Sequence, residues 1–99
     1  MKTIKLYLGL NDKDLHRQKY DMNINKKILM NVLKSFNIDC YTLQLVEGVY
    51  KDEIENTYII TISNTQYDSL YDELASELAN TFNQECVMVE CYETVVNFR

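Results

Sequence analysis

Residues 55–82, ENTYIITISNTQYDSLYDELASELANTF, change hydrophobic period midway. From Thr57 to Ile62 the chain is rich in β-branched and aromatic side chains, which pack well on a pleated surface. Further on, Tyr67, Leu70, Tyr71, Leu74, Leu78 and Phe82 recur at three- and four-residue spacing, the period of one helical face. The stretch predicts a strand over 55–62 and then a long helix. Asn64 or Thr65 is expected to cap that helix. Asp68 falls in its first turns, where negative charge suits the helix dipole.

Working outward, Ile4, Leu6 and Leu8 alternate with Lys5 and Tyr7, which predicts a half-buried first strand over Thr3–Leu8. A polar loop follows from Asn11 to Asn23. Ile28, Leu29, Val32, Leu33 and Phe36 form one apolar stripe, so residues 25–36 read as a helix capped by Asn23 or Asn25. A second strand is expected over Ile38–Val46, with Tyr41, Leu43 and Leu45 on one face. Gly48 suits a bulge or bend after it, and residues 50–54 hold a hairpin turn. The last strand is expected over Cys86–Tyr92, with Val87, Val89 and Cys91 facing inward. The tail from Glu93, with Val95, Val96 and Phe98, extends it.

The order is βαββαβ. Two helices on one face of a four-stranded antiparallel sheet is the layered solution this order favours, an α+β fold of the ferredoxin-like kind. Right-handed crossovers are expected to place the first and last strands centrally. Residues 1–99 are read as a single domain of that kind, a length sufficient for a packed core.

Apolar residues at 46% and charged residues at 25% exclude a disordered chain. No apolar run reaches membrane-spanning length, and the first ten residues alternate rather than form a signal's apolar core. The expected location is cytoplasmic. Residues 1–50 hold eight Lys/Arg and five Asp/Glu, whereas residues 51–99 hold two Lys/Arg and ten Asp/Glu. This polarity disfavours nucleic-acid binding through the second half, because phosphate contacts need clustered cations. It favours self-association or a protein partner with a basic surface. Cys40, Cys86 and Cys91 have neither the number nor the spacing of a disulfide framework or zinc site, and are expected to be buried thiols in strands.

No catalytic constellation is apparent. His16 is the only histidine and cannot build a multi-histidine metal site. Asn11, Asp12 and Asp14 supply oxygens without the glycine and closing glutamate of a calcium loop, so a cap or turn role is expected for them. Glycine-rich phosphate loops are absent. No metal or cofactor is expected from the residues.

Two candidate binding surfaces remain. The sheet face opposite the helices would carry Lys5, Tyr7, Thr42, Gln44, Thr57, Ile59, Thr61, Met88, Glu90 and Tyr92. Its mixture of aromatic, aliphatic and polar groups suits contact with a second copy or a partner. Tyr7, Met88, Glu90 and Tyr92 are its expected centre, with Glu90 on a central strand. RNA binding is disfavoured there by the missing basic, glycine-containing strand signature. The second surface is the acidic helix face formed by Asp68, Asp72, Glu73 and Glu77. Tyr67 and Tyr71 read as helical neighbours at the core rim, and Tyr20 and Tyr50 as loop anchors.

Several strings carry a resemblance: KLYLGL at 5–10, NDKD at 11–14 with Gln18, EGVY at 47–50, ENT at 55–57, FNQECV at 82–87 and VNF at 96–98. Together they resemble an uncharacterised family of bacterial domains of about this length, also found on phages and conjugative elements. The chain departs from that pattern at Leu15 and His16. The resemblance implies a ferredoxin-like domain in a mobile-element setting and supplies no catalytic residues.

The reading that follows is a non-enzymatic interaction protein of a mobile element, with no membrane or direct nucleic-acid contact. Its concrete form is an acidic inhibitor of a host nucleic-acid-targeting defence system, of the anti-CRISPR or anti-restriction type. The alternative is a homo-oligomeric sensor binding a small ligand. A hydrolase or nuclease using Asp12 or Asp14 is the least favoured.

Overall fold

The structure, a computed structural model, describes residues 1–63 and 65–99. Its main sheet contains β1 (Lys2–Gly9), β4 (Thr42–Tyr50), β5 (Glu53–Thr65) and β6 (Met88–Glu93). Two short strands, β2 (Asn11–Asp12) and β3 (Arg17–Gln18), form a small hairpin in the first loop. Helices α1 (Met22–Ser35) and α2 (Ser69–Thr81) complete the chain.

All main-sheet pairings are antiparallel, in the order β4-β5-β1-β6. The expected α+β architecture is the one observed, a four-stranded antiparallel sheet with two helices. The expected positions of two strands are corrected. The first and third main strands are central, and the last, β6, is an edge, so Glu90 lies on an edge strand. The hairpin connection keeps β4 beside β5, and β1 enters on the other side of β5. Of the two edges left free, β6 takes that of β1.

The core follows from alternation. Ile4, Leu6 and Leu8 of β1 and Tyr58, Ile60 and Ile62 of β5 are buried. Leu29 and Leu33 of α1 and Tyr71, Leu74 and Leu78 of α2 meet them from the helical layer. Ile28, Val32 and Phe36 are half-buried at its margin.

Helix boundaries differ from expectation because other side chains win the caps. Asp21 accepts from the Ile24 amide at 3.0 Å and starts α1 before either asparagine. Asn25 is instead buried, its Nδ2 donating to the Tyr20 carbonyl at 3.0 Å. Asp68 accepts from the Leu70 amide at 2.9 Å and is the cap of α2, not a first-turn residue. Thr65 lies in β5, and Asn64, the other expected cap, lies outside the described residues. Tyr67 consequently precedes the helix. It stacks on Tyr71 with ring centroids 6.1 Å apart, and only Tyr71 is buried.

Three further expectations are corrected. β4 starts and ends later than predicted, and its register with β5 runs without a bulge through Gly48. Gly48 is needed for space: a Cβ there would lie 2.4 Å from Thr57 Oγ1. Cys40, Cys86 and Cys91 are all exposed, since Cys40 and Cys86 precede strands and Cys91 sits on an edge. The tail does not extend β6. Among the described residues the last strand stops at Glu93, and Val95 and Phe98 are exposed.

Leu74 and Leu78 are fully buried beneath the sheet. Replacing either with Ala leaves a cavity and is expected to lower unfolding stability by about 2–5 kcal/mol. A shifted urea midpoint with unchanged slope checks it.

Candidate functional site

The site grows from two features of the sheet's open face. The registers put Glu53, Glu55, Thr57, Ile59 and Thr61 of β5 on one face with Lys5, Tyr7 and Gly9 of β1. This is the face opposite the helices, because the alternate residues Tyr58, Ile60 and Ile62 are in the core. At its Gly9 end the Glu55 carboxylate occupies the place a side chain at position 9 would take. A Cβ on Gly9 would lie 2.2 Å from Glu55 Oε1. The Asn11 amide donates to Glu55 Oε2 at 3.0 Å, so this carboxylate is held in place by the backbone.

Asn11 is in turn fixed by the segment after α2. Gln84 Nε2 donates to the Asn11 carbonyl, and the Lys13 amide donates to the Asn83 carbonyl at 3.0 Å. Asn83 Nδ2 donates to Asp12 Oδ1 at 3.0 Å and Asp14 Oδ2 at 2.8 Å. Asp12 Oδ1 also accepts from the Asp14 and Leu15 amides at 2.9 and 3.0 Å, the turn role expected of it. Those two amides, and then Asn83, hold the Asp12 carboxyl below its ordinary pKa. Its contribution to stability is therefore present above the ordinary carboxylate pKa and is lost as pH falls through the lowered value.

The β4–β5 hairpin forms the far wall. Lys51 and Asp52 both have positive φ, 49° and 65°, which suits a two-residue turn matched to strand twist. Tyr50 before the turn and Lys51 within it reach across the opening. Tyr50 Oη donates to Glu85 Oε2 at 2.7 Å, and Lys51 Nζ donates to the same oxygen at 3.0 Å. On the other side of the hairpin, His16 Nδ1 lies 2.8 Å from Glu53 Oε1. These contacts enclose an open cleft at the end of the sheet, floored by Glu55 and walled by Asn11, Tyr50, Glu53, Gln84 and Glu85.

Charge coupling runs through this wall. The Tyr50 hydroxyl, and after it the Lys51 ammonium, hold the Glu85 carboxyl below its usual range. In return Glu85 raises the pKa of both Tyr50 and Lys51. For chemistry, the cleft offers a fixed carboxylate, three further carboxylates, an aromatic ring and ammonium groups. That set can attract and orient a small cation. Among the described residues, no group of three or more His, Cys, Asp and Glu side chains is arranged to hold a metal ion.

The residues expected to bind a partner lie elsewhere. Tyr7, Met88, Glu90 and Tyr92 are on the open face toward β6, where the Tyr7 hydroxyl donates to Glu90. Asp72, Glu73 and Glu77 are exposed on α2. There Asp72 accepts from the Tyr67 hydroxyl, Glu77 accepts from Thr81 Oγ1 at 3.3 Å, and Asp68 serves as the cap. None of these eight residues lines the cleft. Of the cleft residues, the sequence singled out Tyr50 as an anchor and Asn11 and Asp12 as turn formers. Glu53, Glu55, Gln84 and Glu85 were missed as site residues. The available signal was the set of strings NDKD, EGVY, ENT and FNQECV, which are scattered in the chain and converge on this one cleft.

The fold and cleft define a small α+β domain with a carboxylate-rich opening at the end of its sheet. No family model matches the sequence, and no curated protein matches it. Among solved structures, a phage SAM lyase in complex with S-methyl-5′-thioadenosine is similar, at 24% identity with a TM-score of 0.70 over 93% of this chain and 80% of that one. A phage SAM lyase in its apo state is similar at 22% identity with a TM-score of 0.65, over 92% and 78% of the two chains. At these identities the likeness is one of fold. It overturns the expectation of a non-enzymatic protein, which rested on small size and a missing nucleophile or histidine cluster: a chain of this fold and nearly this size is an enzyme. No helix among the described residues is long and apolar enough to cross a membrane.

The Tyr50–Glu85 bond generates a spectroscopic prediction. The Tyr50 phenol should ionise above the ordinary tyrosine pKa of about 10. Its bond to Glu85 favours the neutral form, so that contribution is present below the ordinary value and is lost as pH rises through the raised one. Ultraviolet titration, differenced against Tyr50→Phe to remove the other tyrosines, should show this. In Glu85→Ala the midpoint should fall back toward the ordinary value.

Proposed function

We propose that the chain is a lyase acting on S-adenosylmethionine, with its reaction centre at the Glu55 cleft. The observation that carries this reading is a preorganised carboxylate in a cleft, in a fold shared with a phage SAM lyase. The substrate is a sulfonium cation with an ammonium and a carboxylate on its amino-acid arm. The cleft's carboxylates suit the cationic centres, and the ammonium groups of Lys13 and Lys51 suit the carboxylate. Release of S-methyl-5′-thioadenosine breaks the bond from sulfur to the four-carbon arm. The bonding pair goes to sulfur, which leaves as a neutral thioether, while the arm's own carboxylate oxygen bonds to the carbon that sulfur vacates and closes a five-membered amino lactone, so no external reactant is consumed. The enzyme's task is then chiefly to hold the arm and the leaving sulfur in a reactive geometry and to keep bulk water away.

Glu55 is assigned the positioning of a cationic centre, since its own orientation is fixed by Asn11 and the space above Gly9. The mobile-element setting implied by the sequence resemblance, and the phage origin of both structural neighbours, agree with this reading. An enzyme that consumes S-adenosylmethionine in a host cell would act on every methyl transfer that draws on it.

The test is incubation of the purified protein with S-adenosylmethionine and chromatographic detection of S-methyl-5′-thioadenosine. Wild-type protein should form it. Glu55→Gln keeps the shape and removes the charge, and should lower kcat/KM roughly 100-fold, the size of effect seen when one preorganised electrostatic group is lost. Absence of product from wild-type protein at high enzyme concentration would overturn the reading.

A further inference from the structure

The geometry points to Tyr50 as a stacking platform for the purine of a nucleoside ligand in the Glu55 cleft, an inference that rests on the lyase reading. Tyr50 is exposed, at 44% of its residue surface, yet its ring is not free to swing. Its hydroxyl is tied to Glu85 Oε2 at 2.7 Å, and the Lys51 ammonium lies 5.4 Å from the ring centroid. The backbone beneath it is the last residue of β4, paired with Glu53 and followed by the two positive-φ turn residues. An exposed aromatic ring normally keeps its rotamer freedom, and binding a flat ligand on it costs that freedom. Here the folded chain has already ordered the ring.

The surroundings select the kind of ligand. The ring lines the same cleft as Glu53, Glu55 and Glu85. With Asp12 these carboxylates outnumber the ammonium groups of Lys13 and Lys51, and the net negative charge disfavours the phosphates of a nucleotide and leaves an uncharged or cationic nucleoside as the fitting class. A purine offers a broad π-face, and base–aromatic stacking contributes about 1–3 kcal/mol per base. The ammonium of Lys51 on the ring adds a cation–π contact that further fixes its plane. Tyr50 is thus a binding residue for the nucleoside half of the ligand, while Glu55 addresses the cationic half.

Calorimetric titration with S-methyl-5′-thioadenosine alone tests this without turnover. Tyr50→Phe keeps the ring but loses the tether to Glu85, and should weaken binding by roughly two- to tenfold, the cost of ordering one side chain. Tyr50→Ala removes the ring and should weaken binding roughly five- to 150-fold, the equivalent of the stacking range above. Adenosine monophosphate should bind wild-type protein more weakly than the thioadenosine. Thermal melts of both variants check that this partly exposed position leaves the fold intact. If wild-type protein binds the thioadenosine and Tyr50→Ala binds it equally well, the platform is wrong and the lyase reading stands. If wild-type protein neither binds it nor forms it from S-adenosylmethionine, the lyase reading falls and the platform falls with it.

Discussion

The antiparallel pairing of β1 with β5 at the centre of the sheet is the constraint on which the other features depend. Its register sets Leu6 opposite Ile60 and Tyr7 opposite Ile59, so one set of residues is committed to the core and the next to the open face. A slip of one residue would exchange the two faces. The helices pack on the committed side through Leu29, Leu33, Leu74 and Leu78. The same register carries Gly9 to the position opposite Thr57, two residues from Glu55, where a missing side chain makes room for a carboxylate. Core and cleft are consequences of one pairing.

The cleft is held by polar contacts from three separate regions. The Asn11–Asp14 turn, the β4–β5 hairpin and the Asn83–Glu85 segment are far apart in the chain and bonded to each other in space. Asn83, like Lys51 and Asp52, has a positive φ, so two of the three regions use backbone conformations that ordinary residues adopt at a cost. Such strain is retained where surrounding contacts over-determine the geometry. The hydrogen bonds of Asn83 to Asp12 and Asp14, and of Glu85 to Tyr50 and Lys51, are contacts of that sort. A rigid frame around charged groups is what electrostatic positioning of a substrate requires.

The charge asymmetry takes on a different sense in this setting. Glu53, Glu55 and Glu85 account for part of the acidic second half, and they are gathered at one opening. The carboxylates of α2 are spread along an exposed helix, two of them occupied with Tyr67 and Thr81 and one with the helix cap. A fold leaves function to its site, and the structural neighbours of this fold are phage SAM lyases.

Periodicity along the chain determined the elements, because the alternation of Ile4, Leu6 and Leu8 and the helical spacing of Leu70, Leu74 and Leu78 are local properties set by backbone geometry. It likewise assigned the open face correctly, since a period of two fixes which side each strand residue takes. Element ends were less legible: Asp21 and Asp68 compete with neighbouring asparagines and threonine for the same caps, and only the packed helix shows which side chain reaches the free amides. The edge position of β6 and the exposure of Cys91 depend on which strand stands beside which, a relation between distant segments. The cleft belongs wholly to that second kind. Glu55 reads in sequence as one more charged residue at a strand's start. It becomes a fixed carboxylate only when Gly9 and Asn11, with Gln84 holding Asn11, are brought to it from remote parts of the chain by tertiary pairing.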